Sequence, residues 1–254
     1  MQDSRLLKGC KVKEFGDVDV LLVESTYASR EHPPRAETEK KLWQAVSETV
    51  DNGGIALIPS FAVGRSAEIL MTVDSFRSKI PIYLDGMAKA ATEIALKYPE
   101  LLKNPKALSK AVNNCNMIYT PEQRKEALKE PCIIITTGGC LDGGPAVHYI
   151  RHLWSNENSS INFVGFQIPK TAGRYLLDTG RFVNEELDLK LKMKVNSFDF
   201  SAHADRTDLF KFVNEVKAGK VICMHGDNCQ RFAQELRSRG FDAEAPKNGE
   251  TIEV

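Results

Sequence analysis

Three side chains able to move a proton or hold a metal stand where apolar runs stop. Glu24 directly follows VDVLLV (18–23), His225 directly follows VICM (221–224), and His203 sits in FSAHADR ahead of a helix-like stretch. A carboxylate beside an imidazole favours the imidazolium and fixes its orientation. Each residue alone also has a plain structural reading, as a satisfied histidine or a turn carboxylate. Their shared context argues for more, because open α/β sheets gather ligands and catalytic groups at the carboxyl ends of their strands. One crevice holding all three is the expectation.

Other groups are weaker candidates. His148 and His152 lie four apart on a predicted helix, a spacing that can seat a metal, but no Glu stands between them in the HExxH manner and no third ligand is in view. The glycines of TTGGCLDGG and Gly173 of KTAGR can offer backbone N–H groups to phosphate, with charge from Arg65, Lys170 and Arg174, although structural turns explain the same glycines. Six cysteines, at 10, 115, 132, 140, 223 and 229, show no CxxC and no paired spacing, so reduced and mostly buried thiols are expected.

The elements that must position these groups alternate along the chain. Strands are read at 18–23, 55–59, 81–85, 132–137 and 161–166, and helices at 36–51, 65–77, 87–97 and 144–154, with a helical excursion after residue 100. That alternation predicts an α/β fold whose mostly parallel sheet is covered by helices. In the first helix Leu42, Trp43, Val46 and Val50 face inward and Glu37, Glu39, Lys40 and Lys41 outward. ELDLKLKMKV, from 186, alternates strictly and reads as one exposed, antiparallel strand opening a second layer. Asp205 followed by Asp208 resembles a capping box for a helix with Leu209, Phe210, Val213 and Val216 inward. A strand at 221–224, a helix ended by Gly240 and a short final strand TIEV complete the chain.

VDVLLVESTYASREHP, IPSFAVGRSAEIL, PIYLDGMAKAATEI, TTGGCLDGGPAVHYIRHLW, FVGFQIPKTAGRYLLD, FSAHADRTDL and CMHGD follow one another in the order seen in β-CASP metallo-β-lactamase nucleases. The chain resembles that family over nearly its whole length. The resemblance implies a β-CASP domain at 30–195, with 1–29 and 196–254 belonging to a metallo-β-lactamase αββα domain. It implies Glu24 as the motif A acid, His203 as the motif B general acid that protonates the leaving 3′ oxygen, and His225 as the motif C zinc ligand. It further implies RNA as substrate, contacted in a cleft between the domains by Arg65, Lys170, Thr171, Gly173 and Arg174, and in-line phosphodiester hydrolysis with two zinc ions.

The family's main zinc ligands, an HxHxDH run, a later histidine and a bridging aspartate, precede the VEST strand, and this chain has no HxHxDH. Asp3 matches the segment just beyond the bridging aspartate rather than that aspartate. The expectation is therefore a chain lacking the N-terminal part of the metallo-β-lactamase domain and inactive alone. The residues after HGD run only to NGETIEV, which favours the compact processing-factor type over RNase J.

Composition narrows the alternatives. In 254 residues, 42% apolar and 27% charged, there is material for a real core and no sign of disorder. Lys+Arg and Asp+Glu are both 34, so a polyanion must be met by a local patch. No apolar run approaches the roughly 18 residues of a membrane span, and MQDSRLLKGC lacks the apolar core of a signal peptide, so no membrane partner and a cytoplasmic location are expected. A doubly wound nucleotide-binding protein would need GxGxxG after its first strand or GxxxxGK[ST], and neither occurs. A non-catalytic RNA-binding or dimerisation module derived from the same family is the alternative to the nuclease, and the partners expected are RNA and a second copy of the chain in a homodimer.

Overall fold

The computed structural model describes residues 4–9, 12 and 15–253; Asp3 and Cys10 lie outside them. In chain order the elements are β1 (Val20–Glu24), α1 (Arg35–Asp51), β2 (Ala56–Ser60), α2 (Arg65–Ser75), β3 (Ile82–Asp85), α3 (Ala88–Leu96), α4 (Pro105–Asn113), β4 (Asn116–Met117), α5 (Pro121–Ala127) and β5 (Ile133–Thr137). There follow α6 (Pro145–Leu153), β6 (Ser160–Phe163), α7 (Ala172–Thr179), β7 (Arg181–Val183), β8 (Asp188–Lys190), β9 (Lys194–Ser197), α8 (Arg206–Val216), β10 (Lys220–Met224), α9 (Cys229–Ser238) and β11 (Ala243–Glu244). They pack as two compact units: Gly9–Pro33 with Ser201–Val254, and Arg5–Lys8 with Pro34–Phe200.

The larger unit is built on a six-stranded sheet in the order β4-β3-β5-β2-β6-β9, with every pairing parallel. Such a sheet must be covered on both faces, and its strands are accordingly apolar on both. Ala56 and Ile58 of β2 with Ile133 and Ile135 of β5 enter one core with α1, α2 and α4, while Leu57 and Ile134 enter the other with α6 and α7. The α/β class and helix-flanked parallel sheet expected from the strand–helix alternation are present.

Several expectations change. Glu39, expected on the outward face of α1, is buried, because Arg5 donates to both of its carboxylate oxygens at 2.6 Å. Segment 186–195 is not one antiparallel strand. Its start, β8, pairs antiparallel with β7, and its end belongs to β9, the parallel edge partner of β6. Between them Leu191 and Lys192 donate their N–H groups to the loop carbonyls of Gly180 and Trp154, so the ladder is broken there. The alternation itself is real: Leu189, Leu191, Met193 and Val195 all pack on one core. Helix α7, absent from the strand–helix reading, starts at the Thr171 cap, whose hydroxyl accepts from Arg174 N, and stops at left-handed Gly180.

The smaller unit has a three-stranded sheet, β1-β10-β11, also all parallel. Val23, Val221 and Cys223 face α8 and α9, where Leu209, Val213, Phe232 and Leu236 close the core. The last strand is β11 at Ala243–Glu244 rather than TIEV, of which residues 251–253 carry no regular structure. Among the described residues no helix is long and apolar enough to cross a membrane.

Candidate functional site

The register of β1 on β10 sets Glu24 opposite Met224, so both chains leave the sheet side by side at their carboxyl ends. Residue 225 therefore emerges next to Ser25 and Thr26. It does so in the left-handed region, with His225 at φ +52°. The neighbouring Gly226 is required by close approach: a Cβ there would lie 2.5 Å from Ser25 O and 2.9 Å from Thr26 N, both backbone atoms. Thr26 then reaches His225 twice, its Oγ1 lying 2.9 Å from the carbonyl oxygen and 3.1 Å from Nδ1.

His203 arrives from the segment ahead of α8. The helix is anchored by Asp205, whose Oδ1 accepts from Asp208 N at 2.9 Å and whose Oδ2 accepts from His32 N at 3.3 Å. Burial works against that carboxylate, but the N–H groups of Asp208 and His32 outweigh it and hold its pKa below the ordinary range. Glu24 fastens the segment directly: Oε1 accepts from Ala204 N at 3.2 Å, and Oε2 accepts from Thr26 N at 2.9 Å and lies 3.2 Å from His203 Nδ1. The rings of His203 and His225 stack at 5.5 Å and 20°, and Tyr27 meets His203 edge-on at 6.1 Å.

Glu24, His203 and His225 thus converge within one unit, each offering a donor atom within 4.8 Å of the others, and among the described residues no other such group of three is found. Two imidazoles and a carboxylate are the donor chemistry that zinc takes. The His225 ring fits as a ligand, being exposed and tied to protein through one nitrogen only. Glu24 is different, since both its oxygens already accept hydrogen bonds and it faces His203. Its position is that of a group that orients an imidazole.

The five residues expected at RNA belong to the other unit. Arg65 is buried and ion-paired with Glu68, so its charge is matched inside the fold. Gly173 N donates to Cys140 O at 2.7 Å, which occupies the N–H expected for phosphate, and its missing Cβ leaves room for the Gln167 side chain. Thr171 is occupied as the α7 cap, Arg174 pairs with Asp178, and Lys170 is exposed at φ +71°. His148 and His152 sit with ring centroids 4.5 Å apart without gathering a third donor. Among the described residues the cysteines are unbridged, with Cys132 pushed up to about 12 by burial. Thr26 and Gly226 escaped the sequence reading of the site; the glycine directly after a strand-end histidine was the available signal.

Two family models match the chain. One is the Beta-Casp domain, over residues 67–176; the other, over residues 188–246, is described as the Zn-dependent metallo-hydrolase RNA specificity domain. "RNase aCSPSF2" of Saccharolobus solfataricus is 36% identical over 258 residues, covering 100% of this chain and 52% of that protein. "Probable RNase MJ4" of Methanocaldococcus jannaschii is 35% identical, covering 100% of this chain and 61% of its own length. "Transcription termination factor FttA" of Pyrococcus horikoshii is 35% identical, with 99% and 43% covered. The chain spans about half the length of the curated relatives it matches. Among solved structures, a protein of unknown function from Enterococcus faecalis V583 shares the fold at a TM-score of 0.52 and 15% identity, over 95% of this chain and 53% of that one. With both domain models matched in succession, and with relatives aligned along its whole length, the chain belongs to the β-CASP metallo-β-lactamase family.

Proposed function

We propose that this chain is part of a zinc-dependent ribonuclease that hydrolyses RNA phosphodiesters in RNA processing or decay. The observation that carries the reading is the meeting of Glu24, His203 and His225 at the carboxyl ends of β1 and β10. A carboxylate only accepts hydrogen bonds, so Glu24 requires hydrogen on His203 Nδ1 and leaves Nε2 as the ring nitrogen that can serve the substrate. From Nε2 the imidazolium hands its proton to the departing 3′ oxygen, a role worth roughly 10²–10⁴ in rate. His225 is the zinc ligand. Zinc, when bound, supplies the positive charge that polarises the phosphodiester.

A catalytic zinc usually takes three protein ligands, and a pair takes more, so His225 with Glu24 and His203 already engaged is an incomplete set. The proposal therefore gives the complete enzyme two zinc ions and gives this polypeptide little activity by itself. Lys170, Thr171 and Arg174 remain as proposed RNA contacts because they reach the surface; Arg65 and Gly173 shape that surface from within. We place the protein in the cytoplasm, and sedimentation velocity tests for a homodimer.

The test is zinc content by elemental analysis together with cleavage of a labelled single-stranded RNA. Both are measured on this chain and on the chain joined to the additional half that its relatives carry. In the joined protein His225→Ala should lose zinc and cleavage together, while His203→Ala should lose cleavage and keep zinc. Full activity of His203→Ala, or full zinc in His225→Ala, removes the corresponding assignment. The competing reading, a non-catalytic RNA-binding or dimerisation module, rests on the same shortage of donors and predicts RNA retention without cleavage in the joined protein.

A further inference from the structure

We propose that Thr26 is a positioning residue that selects the tautomer of His225, so that the nitrogen left for a metal is Nε2. The inference rests on the ligand role proposed for His225, but the hydrogen-bond logic stands without any metal. A threonine hydroxyl has one hydrogen to give, and a carbonyl oxygen can only accept. Thr26 Oγ1 lies 2.9 Å from His225 O, so its hydrogen is committed there. The same oxygen lies 3.1 Å from His225 Nδ1, and with its hydrogen spent it can only accept from that nitrogen. The proton of the neutral ring must then be on Nδ1, and the lone pair on Nε2.

The surroundings hold this arrangement. His225 takes a left-handed backbone conformation, uncommon outside glycine, and one hydroxyl ties its main chain and its ring together. The absence of a Cβ at Gly226 is what lets the Ser25–Thr26 backbone come close enough to do so. On the stacked partner ring, Glu24 imposes the same choice, because its carboxylate accepts from His203 Nδ1. The short run Glu24–Ser25–Thr26 thus fixes both imidazoles through their Nδ1 sides and leaves both Nε2 atoms for chemistry. Outer-shell partners of this kind commonly change metal affinity 10–100-fold when removed.

The measurement is made on the 254-residue chain itself, labelled with ¹⁵N-histidine, in chelator, at a pH where the imidazoles are neutral. Long-range ¹H–¹⁵N correlation spectra distinguish a protonated from an unprotonated ring nitrogen. His225 is expected with hydrogen on Nδ1. Thr26→Val should shift it toward the Nε2–H form that free histidine prefers, and Thr26→Ser should restore the native tautomer. Hydrogen on Nε2 in the unaltered protein overturns the proposal, and so does an unchanged tautomer in Thr26→Val. Should Thr26→Val fail to fold, the unaltered protein alone still decides, and Thr26→Ser must match it. In the joined protein described above, cobalt or zinc affinity should fall 10–100-fold with Thr26→Val and stay near native with Thr26→Ser. Correct tautomers with no metal uptake in any form would sink the ligand role of His225 while leaving the Thr26 assignment standing.

Discussion

Single atoms decide whether the site exists. Gly226 carries no chemistry, yet any side chain there meets the Ser25 carbonyl at 2.5 Å, and backbone cannot step aside as a flexible side chain would. Gly226→Ala should cost about 2 kcal/mol or more, a size associated with forced overlap in a packed region, read as a shift in the urea midpoint. It should also release His225 from Thr26. An alanine variant as stable as the parent, with the His225 tautomer unchanged, would show that the two turns are not held together there. The chemistry-bearing residues, Glu24, His203 and His225, were legible because each breaks an apolar pattern at a strand or helix end. Thr26 was not, since a threonine after a strand is common and its partner is a residue far along the chain.

At the scale of elements, the strands of the larger unit aim polar groups at their own ends as well. Asp85, the last residue of β3, is fully buried. Burial works against its charge, but hydrogen bonds from Arg124, from the Tyr149 hydroxyl at 2.9 Å and from Gly86 N outweigh it and hold its pKa below the usual carboxylate range. A depressed folded pKa means stability that is present above the unfolded value of about 3.9 and is lost as pH falls through the folded one. Asp85→Asn should therefore destabilise the protein by about 1–3 kcal/mol at neutral pH, because the half-buried Arg124 guanidinium and the buried Tyr149 hydroxyl lose their charged acceptor. The loss should shrink as pH falls below about 4, because the unfolded parent takes up a proton there while the folded carboxylate still resists it. Equal losses at pH 7 and pH 3 in chemical denaturation would contradict this account. The strand that carries Asp85 was read correctly from PIYLD; its ion pair with Arg124, 39 residues away and inside the helical excursion, had no local signature.

For the molecule as a whole, the proposal of an incomplete ligand set has a direct consequence. A metal that binds only the folded state raises stability in proportion to its occupancy. If Glu24, His203 and His225 do not hold zinc tightly by themselves, chelator should leave the calorimetric midpoint of this chain unmoved. A fall of several degrees on adding chelator would show that these donors suffice and that the chain is loaded as it stands. The joined protein should show that fall, since its ligand set would be complete.

What the sequence by itself determined was whatever depends on neighbours along the chain. Short runs such as ALIPS and IIITT, buried at every position, mark strands covered on two faces, turn chemistry marks the helix starts, and the ordered motifs from VEST to MHGD carry the family. Only the tertiary structure decided the rest. It split ELDLKLKMKV between a hairpin and a parallel edge, because backbone partners from Gly180 and Trp154 interrupt the ladder in a way that side-chain alternation does not encode. It buried Glu39 and Arg65 as matched ions, and it brought Thr26 onto His225, because hydrogen bonds and ion pairs are fixed by distance in space, and the parallel register of β1 on β10 makes residues some 200 positions apart into neighbours.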